Sequence, residues 1–288
     1  MLLIPLPEKG HSAAAPISRT LVVACGMVWI ATVPLRAELQ RLLAAVLGVV
    51  PAWVVGADVR PDCIVGPPIW MLPITASLLH VELVHVLLNG LWLWVFGPRV
   101  EMSLGPLRFA LFVVASAYAS LLFQAVAIPQ SGSVIGASGI VAGILGAYAF
   151  LHPKDNVRVG LPALFHPFPL PGILVAGLWL LLQLVQTLDD LTRGGTGGVA
   201  YGAHLSGFLF GIGFAATLRP RGTPWFDLKR PWRYENPFEE TEEPPRRPWS
   251  FRRILVLSFW ALAWIVAAIV AAWAGSRLFR RLLAASVC

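Results

Sequence analysis

Charge is scarce in this chain of 288 residues. Asp, Glu, Lys and Arg together make up 13%, against roughly 25% in ordinary globular proteins. That poverty excludes disorder and coiled coils, which live on charged residues. Cysteine is nearly absent. Cys25, Cys63 and Cys288 show no metal-ligand spacing and form no disulfide framework. The N-terminus has no short apolar core with a cleavage site, so no cleaved signal peptide is expected. There is no solenoid-type repeat and no low-complexity tract. What is abundant is apolar surface: 57% of residues are hydrophobic, and mean hydropathy is +0.72. The net charge of +7 sits in the gaps between apolar runs, so the partner it implies is a lipid bilayer and not nucleic acid.

A bilayer core takes about 20 apolar helical residues. Segments able to span are 16–35, 78–97, 109–128, 134–151, 170–188, 199–218 and 254–275. No charged residue occurs between Arg108 and Lys154. The fold class expected is an all-α multi-pass membrane protein. Residues 42–57 are apolar but interrupted by Pro51 and two glycines, and read as part of an interfacial loop within the larger loop 36–77. Residues 219–253 carry nine Lys/Arg, six Asp/Glu and many prolines, as a polar linker before a last span would. With the N-terminus in the cytoplasm, the cytoplasmic pieces of the first six spans and the linker hold fifteen Lys/Arg and the outside pieces four, the sense the positive-inside rule favours. Arg277, Arg280 and Arg281 in the tail run against it.

Polar groups inside apolar segments need a reason. Three clusters have them. LLHVELVHVLLNG carries His80, Glu82, His85 and Asn89, the last two on one helix face. GSVIGASGIVAGILGAY places Ser138 at the start of the fourth span, with Ala142, Gly146 and Ala149 within about 80° of it at 100° per residue. GGVAYGAHLSGFLFGIGFA places His204 at the start of the sixth, with Gly207, Gly211 and Ala215 along its face. Small-residue stripes permit close helix approach. Spans two, four and six run in the same direction, so all three clusters share one leaflet. If spans four and six pack closely, Ser138 meets His204.

A serine with a histidine base is a nucleophile pair for acyl transfer. That reaction also needs donors for a developing oxyanion. Asn89, His85 and the Ser138 backbone N–H are candidates, and Gly136 and Gly139 leave room for a substrate backbone. A serine in a membrane helix is ordinarily a packing residue, and a lone histidine a hydrogen bonder between helices. The Gly-x-Ser-Gly setting and the in-register histidine set Ser138 and His204 apart.

His80, His85 and Asn89, then Gly136-Ala-Ser138-Gly139, then Ala203-His204-x-x-Gly207, in that order, resemble the rhomboid family of intramembrane serine proteases. The resemblance covers roughly 16–218, including WVFGPRVE, which ends in Glu101, and LGAYAFLHP after Ser138. It implies a six-helix bundle, here with a C-terminal seventh helix. It implies Ser138 as nucleophile and His204 as base, acting as a dyad without a carboxylate. His85, Asn89 and the Ser138 amide would be oxyanion donors. His80 would support them, and Glu101 would be a structural carboxylate. One position departs: an aromatic often lies four residues after the serine, stacked on the histidine, where this chain has Ala142. Tyr201 is the substitute at hand. The fifth span resembles a lateral gate and 193–198 a mobile cap.

The expected organisation is a cytoplasmic segment 1–15, a protease domain 16–218, the linker 219–253 and a C-terminal helix with its tail, 254–288. The resemblance implies hydrolysis of peptide bonds in or near single-pass transmembrane substrates, at the outer face of a plasma (inner) membrane. It implies no metal and no cofactor. The alternative is a non-proteolytic rhomboid-like binding or chaperone protein, but such proteins usually lack the serine or the histidine. A zinc protease would need H-E-x-x-H, which HVELVH does not supply. An aspartyl protease would need aspartates in two spans; Asp189 and Asp190 are adjacent at one span's edge. Oligomeric state is not legible.

Overall fold

A computed structural model describes residues 4–5, 15–33, 35, 37–58, 60–61, 64–129, 131–160, 168–193 and 198–218. The linker 219–253, the seventh span, most of the loop 193–198, Cys63, His166 and Cys288 lie outside the described residues.

Among these residues, helices dominate. Helix α1 (Pro16–Thr32) is followed by α2 (Ala37–Leu47), the short α3 (Pro51–Val54), a single 3-10 turn at Ile69–Met71 and α4 (Leu72–Leu78). Then come α5 (Leu83–Leu104), α6 (Pro106–Ala127), α7 (Ser138–Leu151), α8 (Gly172–Arg193) and α9 (Tyr201–Thr217). Helices α5, α6 and α8 are long and apolar enough to cross a membrane. Their outward side chains, among them Leu107, Leu111, Val126, Leu181 and Val185, are exposed, as lipid-facing residues of a bundle are.

The second span begins later than the apolar run suggests. The chain is broken between Leu78 and Leu83, and α5 then runs on to Leu104 through Pro98. Residues 42–57 contribute the end of α2 and all of α3, with Val49 bridged antiparallel to Val134 in the segment leading to α7. A three-stranded antiparallel sheet was not foreseen. It consists of β1 (Ile4–Pro5), β2 (Asn156–Gly160) and β3 (Phe168–Pro171), with β2 in the middle, Ile4 opposite Gly160 and Asn156 opposite Pro171.

Helix α7 is the hub. Every residue from Gly139 to Tyr148 is buried. It meets α9 backbone to backbone. A Cβ on Gly207 would strike the Gly139 carbonyl oxygen and lie 3.3 Å from Ala142 Cβ. One on Gly211 would strike the Gly143 carbonyl, and one on Gly146 the Phe208 carbonyl. On its other side α7 meets a stripe on α6: a Cβ on Gly143 would lie 2.7 Å from Ser116 Oγ and one on Gly139 2.6 Å from Ser120 Cβ.

Glu101, 1% exposed, fixes α1 to α5. Its carboxylate accepts from the Ile17 N–H at 2.9 Å, the Ser18 N–H at 2.8 Å and the Ser18 hydroxyl at 2.7 Å. These are donors of the first turn of α1, which have no partner within their own helix, and a carboxylate is favoured at that end by the helix dipole. Arg19 lies over the Trp94 ring, 3.4 Å from its centre.

Candidate active site

Ser138 is the first residue of α7, after Ala137 at the cap position. A helix start leaves its first backbone N–H groups without intrahelical acceptors, so the hydroxyl and a ring of free donors share one place. Gly136 makes the approach. Its φ of +111° is in the region glycine favours. A Cβ there would lie 2.6 Å from His85 Cε1, 2.7 Å from His85 Nε2 and 3.7 Å from Asn89 Nδ2. His85 and Asn89 therefore border the backbone two residues before Ser138, and no larger residue fits between.

His80 ties this corner together. It is 3% exposed, deeper than a histidine at a membrane interface would be. Its Nδ1 lies 3.3 Å from the Leu78 carbonyl oxygen, which can only accept, so Nδ1 carries the proton. Its Nε2 then accepts from Asn89 Nδ2 at 2.9 Å and from the Ala137 N–H at 3.3 Å. One amide hydrogen of Asn89 is used in this way. The His80 and His85 rings meet edge to face at 4.8 Å.

His204 lies in the first turn of α9. The α7–α9 contact begins beside it: a Cβ on Gly139 would lie 3.8 Å from the Ala203 carbonyl oxygen. Ser138 and His204 thus flank one crossing, each next to a residue of the contact. Among the described residues no hydrogen bond joins them directly. His204 Nδ1 is instead 2.7 Å from Gln183 Oε1 on α8. Two aromatic rings lie beside the His204 imidazole. Trp179 of α8 lies 5.9 Å from the His204 ring at 36°, and Tyr201 lies 6.1 Å away at 89°. Ala142 is fully buried, and a Cβ on Gly207 would lie 3.3 Å from its Cβ.

Gln124 of α6 holds the start of α9. Its Oε1 accepts the Ala203 N–H at 3.0 Å, and its amide donates to Ser131 Oγ at 3.3 Å. Gln124, Trp179 and Gln183 were not singled out from sequence. Both glutamines were visible there as strongly polar residues within apolar spans, the signal that drew attention to the histidines. Glu101 lies on the opposite end of α5 from His85 and Asn89, remote from Ser138.

The rhomboid domain profile matches residues 68–221. The chain is 30% identical over 211 residues to the rhomboid protease GlpG of Enterobacter sp. (strain 638), covering 72% of this chain and 66% of that one. It is 34% identical over 91 residues to the putative rhomboid protease YdcA of Bacillus subtilis (strain 168), covering 32% and 46%. To Rhomboid protein 1, mitochondrial, of Saccharomyces cerevisiae it is 31% identical over 139 residues, covering 46% and 37%. The chain thus spans between 37% and 66% of the lengths of these curated relatives. With its apolar helices, the chain is an integral membrane protein and belongs to the rhomboid family.

Proposed function

We propose that this protein is an intramembrane serine endopeptidase acting through a Ser138–His204 dyad. The observation that carries the reading is the glycine-mediated crossing of α7 and α9, with the helix-start serine and the first-turn histidine each next in sequence to a residue of that contact. The names of the relatives, as rhomboid proteases, support it.

His204 Nε2 takes the Ser138 proton as Oγ attacks the scissile carbonyl carbon. The carbonyl oxygen becomes the oxyanion, stabilised by the Ser138 N–H, Asn89 Nδ2 and His85. The His204 imidazolium then protonates the leaving amine. Water, activated by the same nitrogen, hydrolyses the acyl-enzyme and restores Ser138. The absence of a direct Ser138–His204 hydrogen bond is in keeping with a free enzyme, where such bonds are often long until substrate binds. No carboxylate takes part, and no metal or cofactor is needed.

Helix α7 has 14 residues, about 21 Å at 1.5 Å each, short of a bilayer core of about 30 Å. It cannot reach both membrane surfaces, and the reading puts its start, with Ser138, below the outer one. This supports a substrate that reaches the site from the membrane: a single-pass helix cut near its outer end at a small residue. That end must unwind first, because a helix hides its carbonyls in hydrogen bonds. The charge bias supports a site toward the outer face of a plasma membrane, with the N-terminus inside. The protease unit is assigned to 16–218, with 219–253 as a cytoplasmic linker and 254–288 as a further helix and tail.

The test is cleavage in bilayers of a single-pass substrate bearing a small residue near its outer end. Wild type cleaves, and Ser138→Ala and His204→Ala, inserted at equal level, do not. Cleavage retained in either variant refutes the dyad.

A further inference from the structure

Helix α8 turns one face to His204. Trp179 and Gln183 are four residues apart, hence on the same side of the helix. The first lies against the imidazole and the second hydrogen-bonds its Nδ1 at 2.7 Å. An amide oxygen can only accept, so with Oε1 toward the ring the proton sits on Nδ1. Nε2 is then the unprotonated nitrogen, the form a base toward a serine needs. Without a partner at Nδ1, a neutral imidazole divides itself between two tautomers, of which one cannot take the proton.

We propose that Gln183 is a positioning residue: it accepts the Nδ1–H of His204 and so holds the histidine in the tautomer and orientation with Nε2 free for Ser138. The proposal rests on the dyad reading. Gln183 takes the place that a carboxylate occupies in a serine–histidine–aspartate triad, and being neutral it adds no charge to an apolar span, where a carboxylate is costly. Support of the imidazole comes here from α8, through the Trp179 ring and the Gln183 amide. Only 28% of the membrane window of α8 is buried, against 44% and 50% for α5 and α6. The tautomer lock is therefore carried by the least embedded of the three long spans, and displacement of α8 from α9 releases it.

The test uses the full chain in bilayers, with steady-state cleavage of a single-pass substrate, a fluorophosphonate labelling rate and a pH–rate profile. Gln183→Leu, which has no acceptor, is expected to lower kcat and the labelling rate at least tenfold with KM within twofold. Gln183→Glu restores an acceptor. It is expected to recover most of the lost rate and to move the acidic limb of the profile to higher pH, because a carboxylate favours the imidazolium. Activity of Gln183→Leu within twofold of wild type overturns the proposal. So does equal loss in both variants with an unmoved pH profile, which marks a merely structural role. Ser138→Ala and His204→Ala run alongside. If either still cleaves, the dyad fails and this proposal with it; if both are inactive while Gln183→Leu is unimpaired, only this proposal fails.

Discussion

Gly211→Ala measures how far the chemistry depends on the α7–α9 crossing. The added Cβ would strike the Gly143 carbonyl oxygen and lie 2.8 Å from its carbon and 3.0 Å from the Ala147 nitrogen. Carbon atoms in contact prefer about 3.5–4.0 Å. All three neighbours are buried backbone, which has no rotamer to move away. Helix α9 must therefore retreat from α7 by about 1 Å. His204 is seven residues earlier on the same helix, about 10 Å along the axis, and is carried with it. A misplacement of about 1 Å at a reacting pair costs on the order of 100-fold in rate, and overpacking costs about 1–3 kcal/mol of stability. Gly213 is the control: it lies on the same helix, and a Cβ there meets nothing within 4 Å. Gly213→Ala should be neutral or slightly stabilising. The assay is kcat for a reconstituted single-pass substrate beside thermal unfolding of the same preparations. Gly211→Ala within threefold of wild type, or equal losses in the two variants, would refute the reasoning.

Asn89→Ala removes the proposed oxyanion donor and one of the two hydrogen bonds to His80 Nε2; kcat should fall about 10–1000-fold, and an unchanged steady-state rate removes Asn89 from the site. Glu101→Ala strands two buried donors and one half-buried donor at the start of α1 and should cost about 3–5 kcal/mol, read as a fall in unfolding midpoint; a change under about 1 kcal/mol contradicts the capping role. Asp155 accepts from Arg99 Nη1 at 2.6 Å and lies 3.3 Å from His152 Nδ1. Burial, the largest single influence, raises this carboxyl, but His152 and Arg99 together outweigh it and hold it below its ordinary value. A lowered carboxyl stabilises the fold above its unfolded value of about 3.9, and that contribution disappears as pH falls through the folded value. The difference in unfolding midpoint between wild type and Asp155→Asn should begin to shrink as pH falls through about 4 and vanish only below the lowered folded value; a difference that persists at still lower pH contradicts the ion pairs as its source.

Much of the arrangement was legible because polar residues in apolar segments are rare and each has a cause. Ser138, His204, Asn89 and His85 stood out on that ground, and the glycines of α9 pointed to a tight crossing. Finer geometry was not legible. From sequence, Ser138, Ala142, Gly146 and Ala149 formed one stripe, but α9 packs on Gly139, Ala142, Gly143 and Gly146, because a face 80° wide does not say where a neighbour's centre falls. The second span was placed five residues early, since Leu79 and Val81 are as apolar as helix residues, and the break at His80 goes with one local hydrogen bond to Leu78 and one tertiary hydrogen bond from the Ala137 N–H. The stripe of Ser116, Ser120 and Gln124 on α6 was passed over, as serine costs little in a helix and only the close α7 glycines give it a role. Tyr201 was found beside His204, but Trp179 and Gln183 reach the same ring from a helix whose facing could not be read from its uniformly leucine-rich run.

The most direct measurement is covalent labelling of the protein in bilayers with a fluorophosphonate, followed by mass spectrometry of the modified peptide, in wild type and in His204→Ala. The reading of the site predicts one adduct, on Ser138, formed by wild type and lost by at least 100-fold in rate in His204→Ala, since removing a member of such a unit removes activation of the nucleophile. Labelling of a different residue, or labelling of Ser138 at the same rate without His204, would contradict it.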